Sequence, residues 1–228
     1  GAHLVRLFKD RCEPGDVLIT NDPWLSAGHF FDITILTPIF DGEKLLAYIG
    51  STIHHTDIGG YGIGAGARDV HEEGLWIPPL KLYERGKPSA MLHDIIRHNV
   101  RTPDAVFGDL SAQVSSGEAA AEHLVTLCER YGIDDIETLS DEIISRSEEA
   151  TRNAIRKLKP GTYHGEAVFD VPGGEVITLK TAVTVDAEAG SIIVDFDGSS
   201  PQTTTGINVV LNYTHAYSTF AIRSCLNP

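Results

Sequence analysis

The chain has 228 residues, 42% of them apolar, with 32 acidic side chains against 18 basic ones and a formal charge of -14. That length and apolar content can build the core of one large domain or two small ones. The acidic excess repels phosphate backbones and anionic lipid heads, which argues against nucleic acid and membrane surfaces as partners.

Between Gly15 and His55 turn signals alternate with β-type runs: VLIT, then DITILTPIF, then KLLAYIGSTI, with Asp41-Gly42 separating the last two. An Asp-Gly pair between apolar runs predicts a hairpin over residues 32–55. Its turn lies near Asp41-Gly42, so Asp32 and His54 stand side by side at the open end. Residues 59–74, GGYGIGAGARDVHEEG, read as a glycine-rich loop leaving that end and serving as a lid over it. A strand-like pair, LWIPPLKLYERGKPS, follows. From about Met91 to Lys159 the apolar spacing becomes helical, and Lys159-Pro160-Gly161 ends that stretch. GDLSAQ, residues 108–113, reads as a helix start with Asp109 as cap. Strand character returns in EAVFDV, VITLKTAVTV and SIIVDFDG before a last helical stretch near 212–226. The predicted class is α+β, with a β-rich region over 1–90, a helical region over 91–160 and strands with a terminal helix over 161–228, all parts of one larger domain. Cys12, Cys128 and Cys225 are odd in number and far apart, which suggests neither a disulfide frame nor a zinc ribbon. With no leader pattern and no apolar run of spanning length, the expected location is the cytoplasm.

Two short motifs bear on chemistry. GHFFDITIL, residues 28–36, and HHTDIGG, residues 54–60, each hold His-x-x-Asp at the edge of an apolar run, and the hairpin makes them neighbours. Two imidazoles with one or two carboxylates suit a divalent transition metal such as manganese, zinc or iron, and a two-His-one-carboxylate set leaves coordination positions open for substrate. Adjacent strand residues face opposite ways, so only one of His54 and His55 reaches such an ion, and the other packs or supports a ligand. The competing reading treats both motifs as polar residues that end strands and begin turns. His71, Glu72 and Glu73, at the far side of the loop, can return an acid or base to the edge, and Asp57 is a further candidate. The glycine-rich loop lacks Gly-Lys-Ser/Thr and leads into no apolar helix, so it is not read as a nucleotide cradle. A G-x-S-x-G nucleophile elbow is also absent.

GDVLITNDPWLSAGHFFDITILTPIF, HHTDIGG, HEEGLWIPPLKL, GDLSAQ, KPGTY and VDFDGSSPQ, in that order, resemble the hydantoinase B/oxoprolinase family. The resemblance runs over nearly the whole chain and is most specific in NDPW with the following G-H-x-x-D, and in H-x-x-D-I-G-G. It implies a metal site whose ligands here are His29, Asp32 and His54, manganese being the ion in acetone carboxylase. It implies ATP-dependent hydrolysis of a cyclic amide, or carboxylation of a ketone, with ATP handled by a separate A-type subunit of the actin-like kind in a hetero-oligomer. The general base stays open among Asp57, His71 and Glu73. Family members carry further sequence on both sides, so an internal piece of a longer chain is expected. The alternatives are a structural or interaction subunit without chemistry, and a stand-alone metal-dependent amidohydrolase.

Overall fold

The computed structural model describes residues 2–133, 135–171 and 174–226. The chain divides into two compact units, Gly1–Ile136 with Val209–Tyr213, and Glu137–Asn208 with Thr214–Pro228.

In the first unit the hairpin forms around Asp41-Gly42. Its strands β2 (Asp32–Asp41) and β3 (Lys44–His54) are antiparallel, with Asp32 opposite His54. Strand β1 (Val17–Thr20) pairs with β2, and β4 (Leu80–Glu84) and β5 (Lys87–Pro88) complete an antiparallel sheet of order β3-β2-β1-β4-β5. Alternating side chains send Val17, Ile19, Ile33 and Ile35 into one core, shared with Leu92 and Ile96 of α3 (Ala90–Asn99) and Val106, Leu110 and Val114 of α4 (Pro103–Tyr131). Leu18 and Leu36 face the other way and pack on Leu4 and Phe8 of α1 (Ala2–Phe8). Both faces of β2 are thus covered, which explains why seven consecutive residues of it, Ile33–Ile39, are buried.

Two sequence expectations need correcting. GDLSAQ does not begin a helix: α4 starts at Pro103, with Thr102 as its N-cap residue, and Asp109 lies inside it. A glycine such as Gly108 costs about 1 kcal/mol in a helix interior. Burial of Val106, Leu110 and Val114, at roughly 1.5–3 kcal/mol each, outweighs that cost and carries the helix through. In LWIPPLKLYERGKPS only Leu80–Glu84 and Lys87–Pro88 are strand. Pro78 and Pro79 have no N–H to donate, and residues 75–77 bond irregularly instead, Leu75 N–H to Ile58 and Asn21 N–H to Ile77.

In the second unit, β6 (Gly161–Asp170), β7 (Val176–Asp186) and β8 (Ser191–Asp195) form an antiparallel sheet in that order. Helix α5 (Ile136–Ile155) lies against the β7–β8 turn, where Arg152 donates to the Gly190 carbonyl at 3.3 Å and Ile155 and Val185 are buried. Helix α6 (Leu211–Leu226) ends the described chain. Its first residues belong to the first unit, within which Asn212 donates to the carbonyl of Pro23 at 2.8 Å.

Candidate metal centre

The hairpin register makes Asp32 the first residue of β2 and His54 the last of β3, directly opposed at the open end of the sheet. His29 stands one turn earlier, where its carbonyl accepts the Asp32 N–H at 3.3 Å. Asp32 therefore lies between two imidazoles: Oδ1 is 3.1 Å from His54 Nδ1 and Oδ2 is 3.3 Å from His29 Nε2. One potential ligand atom from each of the three residues falls within 4.8 Å of the others. The rings of His29 and His54 meet edge to face at 5.0 Å, and Phe31 stacks on His54 at 5.3 Å. The side chains keep 35% (His29), 22% (Asp32) and 50% (His54) of their surface exposed, so the group opens to solvent.

Two nitrogen donors and one carboxylate form a set that suits manganese, zinc or iron. His29 Nδ1 is buried and has no hydrogen-bond partner, a lone polar atom beside that set. The residues present fit a divalent transition metal.

His55 follows the alternation to the opposite face. It is fully buried, and its Nε2 lies 3.1 Å from Gln113 Oε1 on α4. The Gln113 amide nitrogen donates to the Ile33 carbonyl at 3.1 Å and to Ser51 Oγ at 3.2 Å. This fixes the amide orientation, so His55 carries its proton on Nε2 and donates it to Gln113. Burial pushes the His55 pKa down, against the opposing effect of Gln113.

Asp57 has a different environment from Asp32. It is buried, and its carboxylate accepts N–H groups from Gly59 at 2.9 Å, from Thr102 at 3.0 Å and from Arg101, with the Arg101 guanidinium at 3.1 Å. Burial alone would raise its pKa, but these donors outweigh it and hold the carboxyl below the usual range. In doing so it ties the loop after β3 to the start of α4.

Residues 59–74 contain a short helix, α2 (Val70–Glu73), whose N-terminus is capped by Asp69. His71 lies 6.4 Å ring to ring from Trp76, which in turn neighbours Trp24 at 5.5 Å. Glu73 reaches towards the centre, its Oε1 accepting the Phe30 N–H at 2.9 Å. Asn21, Asp22 and Gln113 also support the site, although no chemical motif in the sequence points to them. Asn21 is fully buried and donates to the carbonyls of Phe30 and Leu75, both at 2.9 Å. Asp22 accepts Trp24 N–H at 2.9 Å and Trp76 Nε1–H at 3.2 Å. Asn21 and Asp22 are signalled in the sequence by the NDPW string, and Gln113 ends GDLSAQ.

Comparison with known proteins places the chain in a family. An uncharacterized protein of Methanocaldococcus jannaschii is 33% identical over 219 residues, covering 95% of this chain and 38% of its own length. The beta subunit of Pseudomonas jessenii caprolactamase is 29% identical over 207 residues, covering 88% of this chain and 35% of its own. The crystal structure of that ATP-dependent caprolactamase superposes with a TM-score of 0.85 at 27% identity, over 94% of this chain and 38% of that one. A nucleotide-free structure of acetone carboxylase shares the fold, with a TM-score of 0.86 at 18% identity over 97% of this chain and 32% of that one. The chain thus spans between 32% and 38% of the length of these relatives. The profile of the hydantoinase B/oxoprolinase family matches residues 2–228, and the chain belongs to that family.

Proposed function

We propose that the chain forms the metal-binding catalytic part of an ATP-dependent enzyme that hydrolyses a cyclic amide or carboxylates a ketone. The observation that carries this reading is the Asp32 carboxylate held between His29 and His54 at a solvent-open sheet edge. His29, Asp32 and His54 hold a divalent transition metal, manganese, zinc or iron. When bound, the ion supplies Lewis-acid polarisation of a carbonyl oxygen. The protein's own contribution is to fix three donors on a rigid hairpin end backed by Phe31 and by the buried Ile33, so the donor set needs little reorganisation. His71 is the loop residue left for proton transfer, since one Glu73 oxygen accepts the Phe30 N–H and Asp57 has its carboxylate occupied by four donor groups.

ATP is bound by a hydantoinase A-like partner subunit in a hetero-oligomer, and the substrate is a small lactam or ketone. The acidic surface suits neither nucleic acid nor membrane as partner, and no helix among the described residues is long and apolar enough to cross a membrane. Free Cys12, Cys128 and Cys225 fit a reducing, cytoplasmic setting.

The test is Asp32→Ala in the protein co-purified with its ATP-binding partner, assayed on cyclic amides and on acetone with bicarbonate. The reading expects ATP-dependent turnover to fall by roughly 1000-fold or more while the subunits still co-elute. Turnover at the wild-type rate contradicts it.

A further inference from the structure

The segment that carries His29 precedes the sheet, which the chain joins only at Asp32. Strand β2 begins at Asp32, so the polar backbone groups of Phe30, a fully buried residue, have no ladder to join. A buried peptide needs partners, and Phe30 has one on each side. Its N–H donates to Glu73 Oε1 and its carbonyl accepts from Asn21 Nδ2, both at 2.9 Å. Asn21 is itself locked, donating to the Leu75 carbonyl at 2.9 Å and accepting the Ile77 N–H at 2.7 Å. The Phe30 ring also lies 5.7 Å from that of Trp76. Residues 73–77 therefore form a plate that grips the peptide beside His29.

The same plate holds the other half of the centre. The chain leaving His54 is stitched to it by Leu75 N–H to the Ile58 carbonyl, and to the residue just before it by Tyr61 N–H to the Glu72 carbonyl, each at 2.8 Å. The backbones approach so closely that a Cβ on Gly60 would stand 2.5 Å from the Glu73 carbonyl, and one on Gly74 would stand 2.7 Å from Ile58. Both glycines also hold positive φ angles, 58° and 155°, that side-chain-bearing residues rarely adopt.

We propose that Glu73 and Asn21 are positioning residues that clamp the Phe30 peptide and thereby set His29 and Asp32 against His54. This rests on the metal-centre reading above. It gives Glu73 the role of hydrogen-bond acceptor through Oε1, not that of proton carrier, and it assigns NDPW and HEEGLW a common task. Both strings build the plate that fixes the loop carrying His29 against the hairpin end of Asp32 and His54.

Glu73→Gln and Glu73→Ala separate this from the alternatives, because the glutamine carbonyl oxygen can accept the same N–H and alanine cannot. Manganese(II) is titrated into each purified protein and followed by electron paramagnetic resonance, and exchange of the Phe30 amide hydrogen is followed by NMR. The clamp expects Glu73→Ala to weaken manganese binding by roughly 10–100-fold with little change in melting temperature, and Glu73→Gln to stay within about 3-fold of wild type. Phe30 exchange should be fast in the alanine variant and slow in the glutamine variant. Manganese affinity unchanged in Glu73→Ala overturns the proposal, as does a glutamine variant as weak as the alanine one, since the carboxylate charge would then be the cause. A wild type that takes up neither manganese nor zinc nor iron sinks the metal reading alone. In that case Phe30 exchange still decides on the clamp: no difference between alanine and glutamine removes it.

Discussion

The two His-x-x-Asp motifs have the same spacing and opposite environments. In the first, Asp32 opens a strand at the sheet edge, keeps about a fifth of its side chain exposed, and presents both carboxylate oxygens to imidazoles. In the second, Asp57 is buried past the end of β3 and spends its oxygens on the amides of Gly59, Arg101 and Thr102 and on the Arg101 guanidinium. The histidines differ as well. His54 faces Asp32, while His55, one residue on, is buried against Gln113. The difference teaches that a residue pattern names the available chemistry, whereas backbone donors decide whether it is used for binding or for holding the fold. A carboxylate already saturated by N–H groups has little left to offer an ion.

Exchanging the two roles by mutation gives the largest expected effect. Asp32→Asn should weaken manganese binding by roughly 100-fold or more, and Asp57→Asn should leave it within about 3-fold, as read by calorimetric titration. Equal losses in the two variants would break the comparison. The stability ranking should run the other way. Asp57→Asn is expected to cost about 2–3 kcal/mol in urea unfolding at pH 7, because a buried charge-assisted network is lost. Asp32→Asn, with partly exposed partners, should cost less than about 1 kcal/mol.

The pH dependence sharpens the same contrast. The folded pKa of Asp57 lies below its ordinary value of 3.8, so its stabilisation is complete above that value and is lost as pH falls through the lower folded one. The gap in unfolding free energy between wild type and Asp57→Asn should therefore hold from pH 7 to about 4.5 and close below pH 3.8. A gap that stays constant to pH 2.5 would mean that the charge is not what the amides stabilise. The smallest effect concerns the histidine pair. Gln113→Leu removes the acceptor of His55 and should cost about 1–2 kcal/mol while leaving manganese affinity within about 2-fold, since His55 faces away from the centre. A large loss of metal with Gln113→Leu would show that the two faces of β3 are coupled.

The hairpin and its open end were legible because their signals are local: Asp41-Gly42 between two apolar runs sets the turn, and strand alternation separates His54 from His55. The α+β order and the terminal helix could be read for the same reason. What stayed hidden depends on contacts distant in sequence. Gln113 reaches the Ile33 carbonyl and the Ser51 hydroxyl, and Asn21 joins Phe30 to Leu75 and Ile77, through side-chain bonds that leave no periodic trace. Helix α1 leaves no clear periodicity either, since the seven residues Ala2–Phe8 make too few turns. Asp109 was misplaced as a cap because Gly108 looks like a helix boundary in isolation; tertiary burial of Val106 and Leu110 decides otherwise.

The measurement closest to the central claim is elemental analysis of the protein purified without chelators, beside a His29→Ala/Asp32→Ala double variant. The account predicts close to one transition-metal ion per chain in the wild type, and its loss in a double variant that still folds. A folded wild type free of metal, or a double variant that retains the ion, would contradict it.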